Sequence, residues 1–226
     1  MEERYTRNIP AISAEEQAAL AQKRVLVAGC GGLGGNLIEH LTRMGVGEIT
    51  AVDADRFEVS NLNRQLLSSP ALLGEEKALA AAERAARVNP AVRVTAVAEF
   101  LDEANADALL QGQDLALDAL DSAPARLLLE DACARQGVTL VHGAVQGWSV
   151  QAAVVPPGSG LLHRLYDSAS APAQNALKTV LPFTAAFCAA VQAAEAVQLL
   201  CGRPAELSEK LLLADLEHME FDTVTL

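Results

Sequence analysis

One glycine-rich turn limits what this chain can fold into: Gly29-Cys30-Gly31-Gly32-Leu33-Gly34 follows the apolar run 24–28 and opens a helix. A strand that turns this sharply into a helix leaves backbone N–H groups bare at the positive end of the helix dipole, where a phosphate is stabilised. Gly29 permits the tight turn, Gly31 and its neighbour Gly32 let a phosphate approach the backbone, and Gly34 lets the helix pack closely on the sheet. Asp53, nineteen residues after Gly34, ends the next apolar run at about the interval from which an acid reaches a ribose hydroxyl. These residues predict a nucleotide site.

Around that turn, strands predicted at 24–28, 48–53, 93–98, 115–119 and 139–142 alternate with helices at 33–44, 75–88, 103–110 and 125–136. Such alternation predicts an α/β, Rossmann-like, doubly wound and mostly parallel sheet. The pattern then changes. A strand at 150–155, a Pro-Pro-Gly-Ser-Gly turn, an irregular connection, a long helix at 183–200 and a strand at 210–216 predict an additional antiparallel C-terminal portion. Ser13 followed by Glu16 reads as the capping box of a short helix at 13–21. We expect one domain over 1–226, with an N-terminal arm and helix at 1–22 and a mobile connection at 161–181.

With 226 residues, 51% of them hydrophobic, the chain can bury a substantial α/β core. A net charge of −12 argues against a broad polyanion-binding surface, so no nucleic acid partner is expected. Cys30, Cys133, Cys188 and Cys201 form no C-x-x-C pair, which suits reduced thiols, and the N-terminus lacks a basic segment followed by an apolar one. A cytoplasmic location is expected. The apolar stretch 183–200 carries Gln192, Glu195 and Gln198 at three-residue steps, a polar stripe that favours a core helix over a membrane span.

The cations narrow the choice of nucleotide. NAD carries a pyrophosphate that the glycine turn can largely hold, whereas ATP poised for attack concentrates more negative charge and needs cationic side chains or a metal. Arg64 offers a planar fork to phosphate oxygens, and Lys77 stands near the start of its helix, opposed to the dipole and poorly placed for stability alone. ATP is the expected nucleotide; an NAD-dependent oxidoreductase would leave both residues without a task.

Together these residues resemble the ThiF/MoeB/HesA adenylyltransferases, bacterial relatives of the ubiquitin-activating enzymes. The resemblance runs from Arg4 to about Leu200 and is carried by Arg4-Tyr5-Thr6-Arg7, the 29–34 loop, Val52-Asp53-Ala54-Asp55, Ser60-Asn61-Leu62-Asn63-Arg64-Gln65, Gly74-Glu75-Glu76-Lys77, Val88-Asn89-Pro90, Leu117-Asp118-Ala119-Leu120-Asp121-Ser122 and Gly143-Ala144-Val145-Gln146-Gly147-Trp148. It implies an enzyme that activates the C-terminal Gly-Gly carboxylate of a small ubiquitin-like sulfur carrier of ThiS or MoaD type, as used in thiamin or molybdopterin synthesis. By the same resemblance Asp53 holds the ribose, Asn61, Arg64 and Lys77 hold the phosphates, and Asp55 and Gln65 belong to the nucleotide-binding set. Asp121 positions magnesium, and Arg7 reaches the ATP of the opposite protomer of a homodimer.

The departures from the family pattern are equally definite. The Cys pairs that bind zinc in many relatives are absent, with Leu162-His163-Arg164-Leu165 where the first would fall, so no structural zinc is expected. The connection 161–182 holds no cysteine, so no thioester step is expected. Ser122 replaces a common asparagine, Trp148 is a candidate floor for the channel admitting the carrier tail, and Cys30 sits where the phosphate loop would stabilise a thiolate. Alternatives are a threonylcarbamoyl-adenosine dehydratase-like enzyme acting on another carboxylate, and a non-catalytic member of the family.

Overall fold

The computed structural model describes residues 2–166 and 179–225. Among these, eight strands form one sheet in the order β3-β2-β1-β4-β5-β6-β7-β8. β1 (Arg24–Ala28), β2 (Glu48–Val52), β3 (Arg93–Val97), β4 (Leu115–Asp118) and β5 (Leu140–Gln146) pair in parallel. β6 (Ser149–Val155), β7 (Lys210–Asp215) and β8 (Glu220–Thr225) continue the sheet antiparallel. The expected mostly parallel sheet with an antiparallel C-terminal portion is therefore what forms.

Strand β1 explains the layering. Its alternate side chains serve two cores: Val25 and Val27 join one cluster, Leu26 and Ala28 the other, and all four are wholly buried. The first cluster lies under α2 (Gly32–Met44), α3 (Lys77–Val88) and α7 (Pro182–Leu200), and the second under α4 (Ala106–Leu110), α5 (Ala123–Gln136) and α6 (Leu161–Tyr166). α7 lies against both α2 and the sheet, and its buried small residues Ala185, Ala189, Ala193 and Ala196 allow close approach. It is long and apolar enough to cross a membrane, but half of its apolar window is buried within this fold. Its polar stripe points inward: Gln192 donates to the carbonyls of Asp118 (2.8 Å) and Val141 (3.1 Å), and Glu195 accepts from the Leu207 N–H (3.0 Å).

Several predicted boundaries move, each for a local reason. α3 begins at Lys77 rather than at 75, because the Phe57 N–H donates to the Glu75 carbonyl and Glu76 pairs with Arg56, which holds that segment extended. The predicted helix at 103–110 shortens to α4 because Asp102 Oδ1 accepts from Ala104 and Asn105 N–H and fixes a turn there. β5 runs on through Gly143 to Gln146, since β6 pairs along its whole length. Gly143 is required there, as a Cβ at this position would fall inside the Gln192 amide. β8 was not expected: all six of its residues are exposed, so no burial pattern marks it. The connection expected to be irregular from 161 instead begins with α6; residues 167–178 of it lie outside the described residues.

The N-terminal segment docks at the C-terminal end of α2, away from the glycine turn. Tyr5, in a short 3-10 helix over Glu3–Asn8, packs beside Gly45 at the C-terminal end of α2, and Asn89 donates to its hydroxyl (2.7 Å) and to the Thr42 carbonyl (3.0 Å). α1 (Ala14–Leu20) carries the expected capping box of Ser13 and Glu16, and Arg203 beyond α7 ties Glu16 down with Nε–Oε1 at 2.6 Å.

Two outcomes follow from these contacts. A Cβ on Gly34 would fall inside the Gly29 carbonyl, whereas at Gly137 (φ +67°) nothing lies within 4 Å; in urea denaturation Gly34→Ala is expected to lose about 3 kcal/mol or more, and Gly137→Ala about 1 kcal/mol. Arg203 and the Ser13 N–H hold the Glu16 carboxyl down at about 2, below its usual 4.5. A depressed carboxylate contributes stability above its unfolded value and loses it as pH falls through the folded one. The gap in melting temperature between the parent and Glu16→Gln should therefore be full at pH 7 and shrink from about pH 4.5 downward.

Candidate active site

The site lies at the C-terminal ends of β1, β2 and β4, where the strand order reverses on either side of β1 and leaves a crevice. Gly29 turns the chain there with φ +97°, and a Cβ on it would stand 2.6 Å from the Ala119 carbonyl oxygen. The glycine turn thus lies directly against the turn that follows β4. Gly31 is the N-cap of α2 and supplies no side chain to satisfy the first-turn N–H groups, which is the arrangement expected of an anion cradle.

Asp53 closes the back of this turn. Its Oδ2 accepts from the Cys30 N–H (2.7 Å) and its Oδ1 from the Asp55 N–H (2.8 Å). Burial pushes its carboxyl upward, and those two N–H bonds with the nearby Lys77 pull it back. On the other side, Arg64 and Gln65 pack over the glycines: a Cβ on Gly32 would meet the Arg64 side chain at 3.6 Å, and one on Gly31 would meet the Gln65 amide at 3.6 Å. Both are held by N–H bonds to the Asn61 carbonyl (3.1 and 3.0 Å).

Lys77 is buried at the first position of α3, with its Nζ 2.8 Å from the Asp55 carboxylate. A small open cavity of about 170 Å³ adjoins that pair, lined by Asp55, Arg56, Glu58, Asn61 and Lys77. The fold thus brings the segments that carry Gly29, Gly31, Gly32, Gly34, Asp53, Asp55, Asn61, Arg64, Gln65 and Lys77 together around the ends of β1 and β2, with Gly34 buried in the packing of the turn. Arg56 and Glu58 were missed. Their signal was weak: Arg56 pairs with Glu76 across a bridge between sequence-distant segments, and Glu58 caps the short 3-10 helix Val59–Asn61 in exchange with Asn61.

Asp121 is exposed on the turn after β4, which Asp118 shapes by accepting the Leu120 N–H at its Oδ1 (2.9 Å) and which the Ala119 N–H ties to the Ala28 carbonyl (2.9 Å). The chain thereby brings the 118–121 turn beside the glycine turn. Ser122 is the N-cap of α5 without a side-chain bond to it. Arg7 does not join the set. It is exposed on the 3-10 helix anchored at the far end of α2, and 13 residues of helix put about 20 Å between that end and Gly32.

The cysteine reading needs one correction. Cys30 is wholly buried and desolvation, reinforced by Asp53, pushes its thiol well above the usual value, so the loop does not stabilise its thiolate. Burial likewise pushes Cys133 and Cys188 up to about 12. Where zinc ligands stand in some relatives, Leu162 is buried, Glu130 accepts the N–H groups of Leu162 and His163, and His163 Nε2 lies 2.9 Å from Asp131. Trp148 sits on the β5–β6 turn, 42% exposed, with its ring 5.0 Å from that of Phe183.

Known proteins resemble the chain in sequence and in fold. The ThiF family model matches residues 5–226. The chain is 36% identical over 230 residues to a SAMP-activating enzyme E1 of Haloferax volcanii, spanning 98% of this chain and 84% of that protein. It is 36% identical over 237 residues to a sulfur carrier protein adenylyltransferase of Thermus thermophilus, spanning 99% of this chain and 86% of that one. The fold matches the crystal structure of E. coli MccB with ATP at a TM-score of 0.81 and 20% identity, over 100% of this chain and 72% of that one. The chain accordingly belongs to the ThiF family and is an adenylyltransferase.

Proposed function

We propose that this enzyme uses ATP to activate the C-terminal Gly-Gly carboxylate of a small ubiquitin-like sulfur carrier, of ThiS or MoaD type, as an acyl adenylate, with no thioester cysteine. The observation that carries this reading is the convergence of bare helix N–H groups, Arg64, Lys77 and the Asp121 turn along one edge of an otherwise acidic protein. The names of the relatives from Haloferax volcanii and Thermus thermophilus support a carrier-activating role. The net charge of −12 disfavours a tRNA substrate.

The reaction needs alignment and charge neutralisation rather than a protein nucleophile. A carboxylate oxygen of the carrier attacks the α-phosphorus, an O–P bond forms, and the bond from the α-phosphorus to the bridging oxygen breaks as pyrophosphate leaves. The α2 N-terminus receives phosphate oxygens, Asp53 orients the ribose, and Arg64 braces the phosphates from the side. Lys77 exchanges its Asp55 partner for phosphate oxygens, a swap that keeps the buried ammonium neutralised throughout. Asp121, an exposed carboxylate beside the phosphate cradle, suits magnesium, which binds through one or two carboxylates plus substrate phosphates. When bound, that ion supplies charge stabilisation on the phosphates. Arg7 serves the opposite protomer of a homodimer, a role consistent with its remoteness from its own glycine turn.

The test is ATP–pyrophosphate exchange with candidate carriers ending in Gly-Gly. Exchange should require the carrier and fall roughly 100-fold or more in Arg64→Ala, Lys77→Ala and Asp121→Ala, with melting temperatures unchanged in the Arg64 and Asp121 variants; carrier-independent binding of NAD without exchange would reject the reading. Arg7→Ala and Asp121→Ala should each be inactive alone. Equal mixtures should recover about one quarter of parental activity, because half of the dimers then hold one intact site; no recovery after subunit exchange would show that Arg7 acts within its own protomer, and full activity of Arg7→Ala alone would show that it does not act.

A further inference from the structure

Behind the Asp121 turn lies a buried polar chain that the proposed chemistry does not use. Asp118, wholly buried at the end of β4, divides its carboxylate between two tasks. Oδ1 accepts the Leu120 N–H and sets the turn, while Oδ2 lies 2.6 Å from His142 Nδ1 and 3.5 Å from Arg126 Nε. A carboxylate only accepts, so Nδ1 carries the imidazole proton and Nε2 is left as the acceptor. The Tyr166 hydroxyl stands 3.2 Å from that Nε2, and the Gln151 amide donates to the same hydroxyl at 2.6 Å and reaches Nε2 at 3.1 Å. Arg126 closes the circuit: one guanidinium nitrogen donates to the Tyr166 oxygen (3.1 Å), the other to the Leu120 carbonyl (2.8 Å), and its charge lies 5.3 Å from the centre of the Tyr166 ring.

This is more than a core needs. A wholly buried histidine and carboxylate each carry a desolvation cost, and an apolar pair of the same volume would hold β4 against β5 as well. What the polar chain adds is direction. Both of its ends, Asp118 Oδ1 and the Arg126 fork, grip the two backbone polar groups of Leu120, the residue next to Asp121.

We propose that Arg126, His142 and Tyr166 are positioning residues of the adenylation site, acting through Asp118 and the Leu120 backbone to hold Asp121 where it meets the metal and the phosphates. The inference rests on the reading of Asp121 given above. His142 is the distinctive member, since it links α6 to β4 from a strand that contributes nothing else to the site.

The test measures ATP binding by calorimetry as a function of Mg2+ concentration, alongside hydrogen exchange of the 118–122 amides. Tyr166→Phe keeps the ring and removes only the hydroxyl. His142→Asn keeps a donor for Asp118 and loses the reach to Tyr166. Each is expected to raise the Mg2+ concentration for half-maximal ATP binding about 10-fold and to speed exchange at the Leu120 amide, with β1 and β2 amides unchanged. Because both variants remove the same bond, the double variant should match the singles rather than add to them. Asp121→Ala, run in parallel, tests the underlying reading: if it leaves the Mg2+ dependence unchanged, that reading fails and takes this inference with it. If Asp121→Ala removes the dependence while Tyr166→Phe and His142→Asn leave it at the parental value, the inference alone fails. Additive effects, or exchange that rises across the whole sheet, would also overturn it by showing a merely structural role.

Discussion

The glycine turn between β1 and α2 is the contact on which the other features rest. Gly34 lies so close to the Gly29 carbonyl that no side chain fits, and Gly29 in turn abuts the Ala119 carbonyl of the next strand's turn. These approaches seat the N-terminus of α2 at the sheet edge with its N–H groups uncovered. They also bring the turns after β1, β2 and β4 close together, so that Asp53 reaches the Cys30 N–H and the 118–121 turn comes alongside. A single added methyl would push the helix out and separate those groups.

Charge at this edge is handled by pairing. The protein as a whole is acidic, and an unpartnered cation buried beside the crevice would be costly. Lys77 is buried against an Asp55 that remains more than half exposed, so its ammonium is compensated and its partner can still swing away. Arg64 is braced by the Ser60 carbonyl (2.7 Å) and the Asn63 amide oxygen (3.0 Å), which fixes its fork. Pre-set cations cost little reorganisation during reaction, which is where most electrostatic catalysis comes from.

The opposite end of α2 anchors the N-terminal segment. Tyr5 and Asn89 lock the N-terminal segment there, so Arg7 is carried on an anchored mount about 20 Å, one helix length, from the glycine turn. The role proposed for Arg7 therefore requires an interface with a second copy of the chain.

Much of the site was legible in the chain because its residues lie in short local motifs: the glycine turn, Asp53 with Asp55, the 60–65 run, Lys77 at a helix start and Asp121 after a strand. Local steric and dipolar rules act over a few residues, so these motifs announce themselves without any fold. Periodicity likewise determined the parallel sheet and the core helix at 183–200. Only tertiary structure decided the rest. The bonds of Gln192 from α7 to Asp118 and Val141, the role of Arg56 at the cavity, the unreactive burial of Cys30, and the bond from Asp118 through His142 to Tyr166 all depend on partners 20 or more residues away, while the exposed hairpin strand β8 carries no burial pattern to mark it. Desolvation and hydrogen-bond pairing between distant segments are properties of packed neighbours, and a linear sequence does not state who those neighbours are.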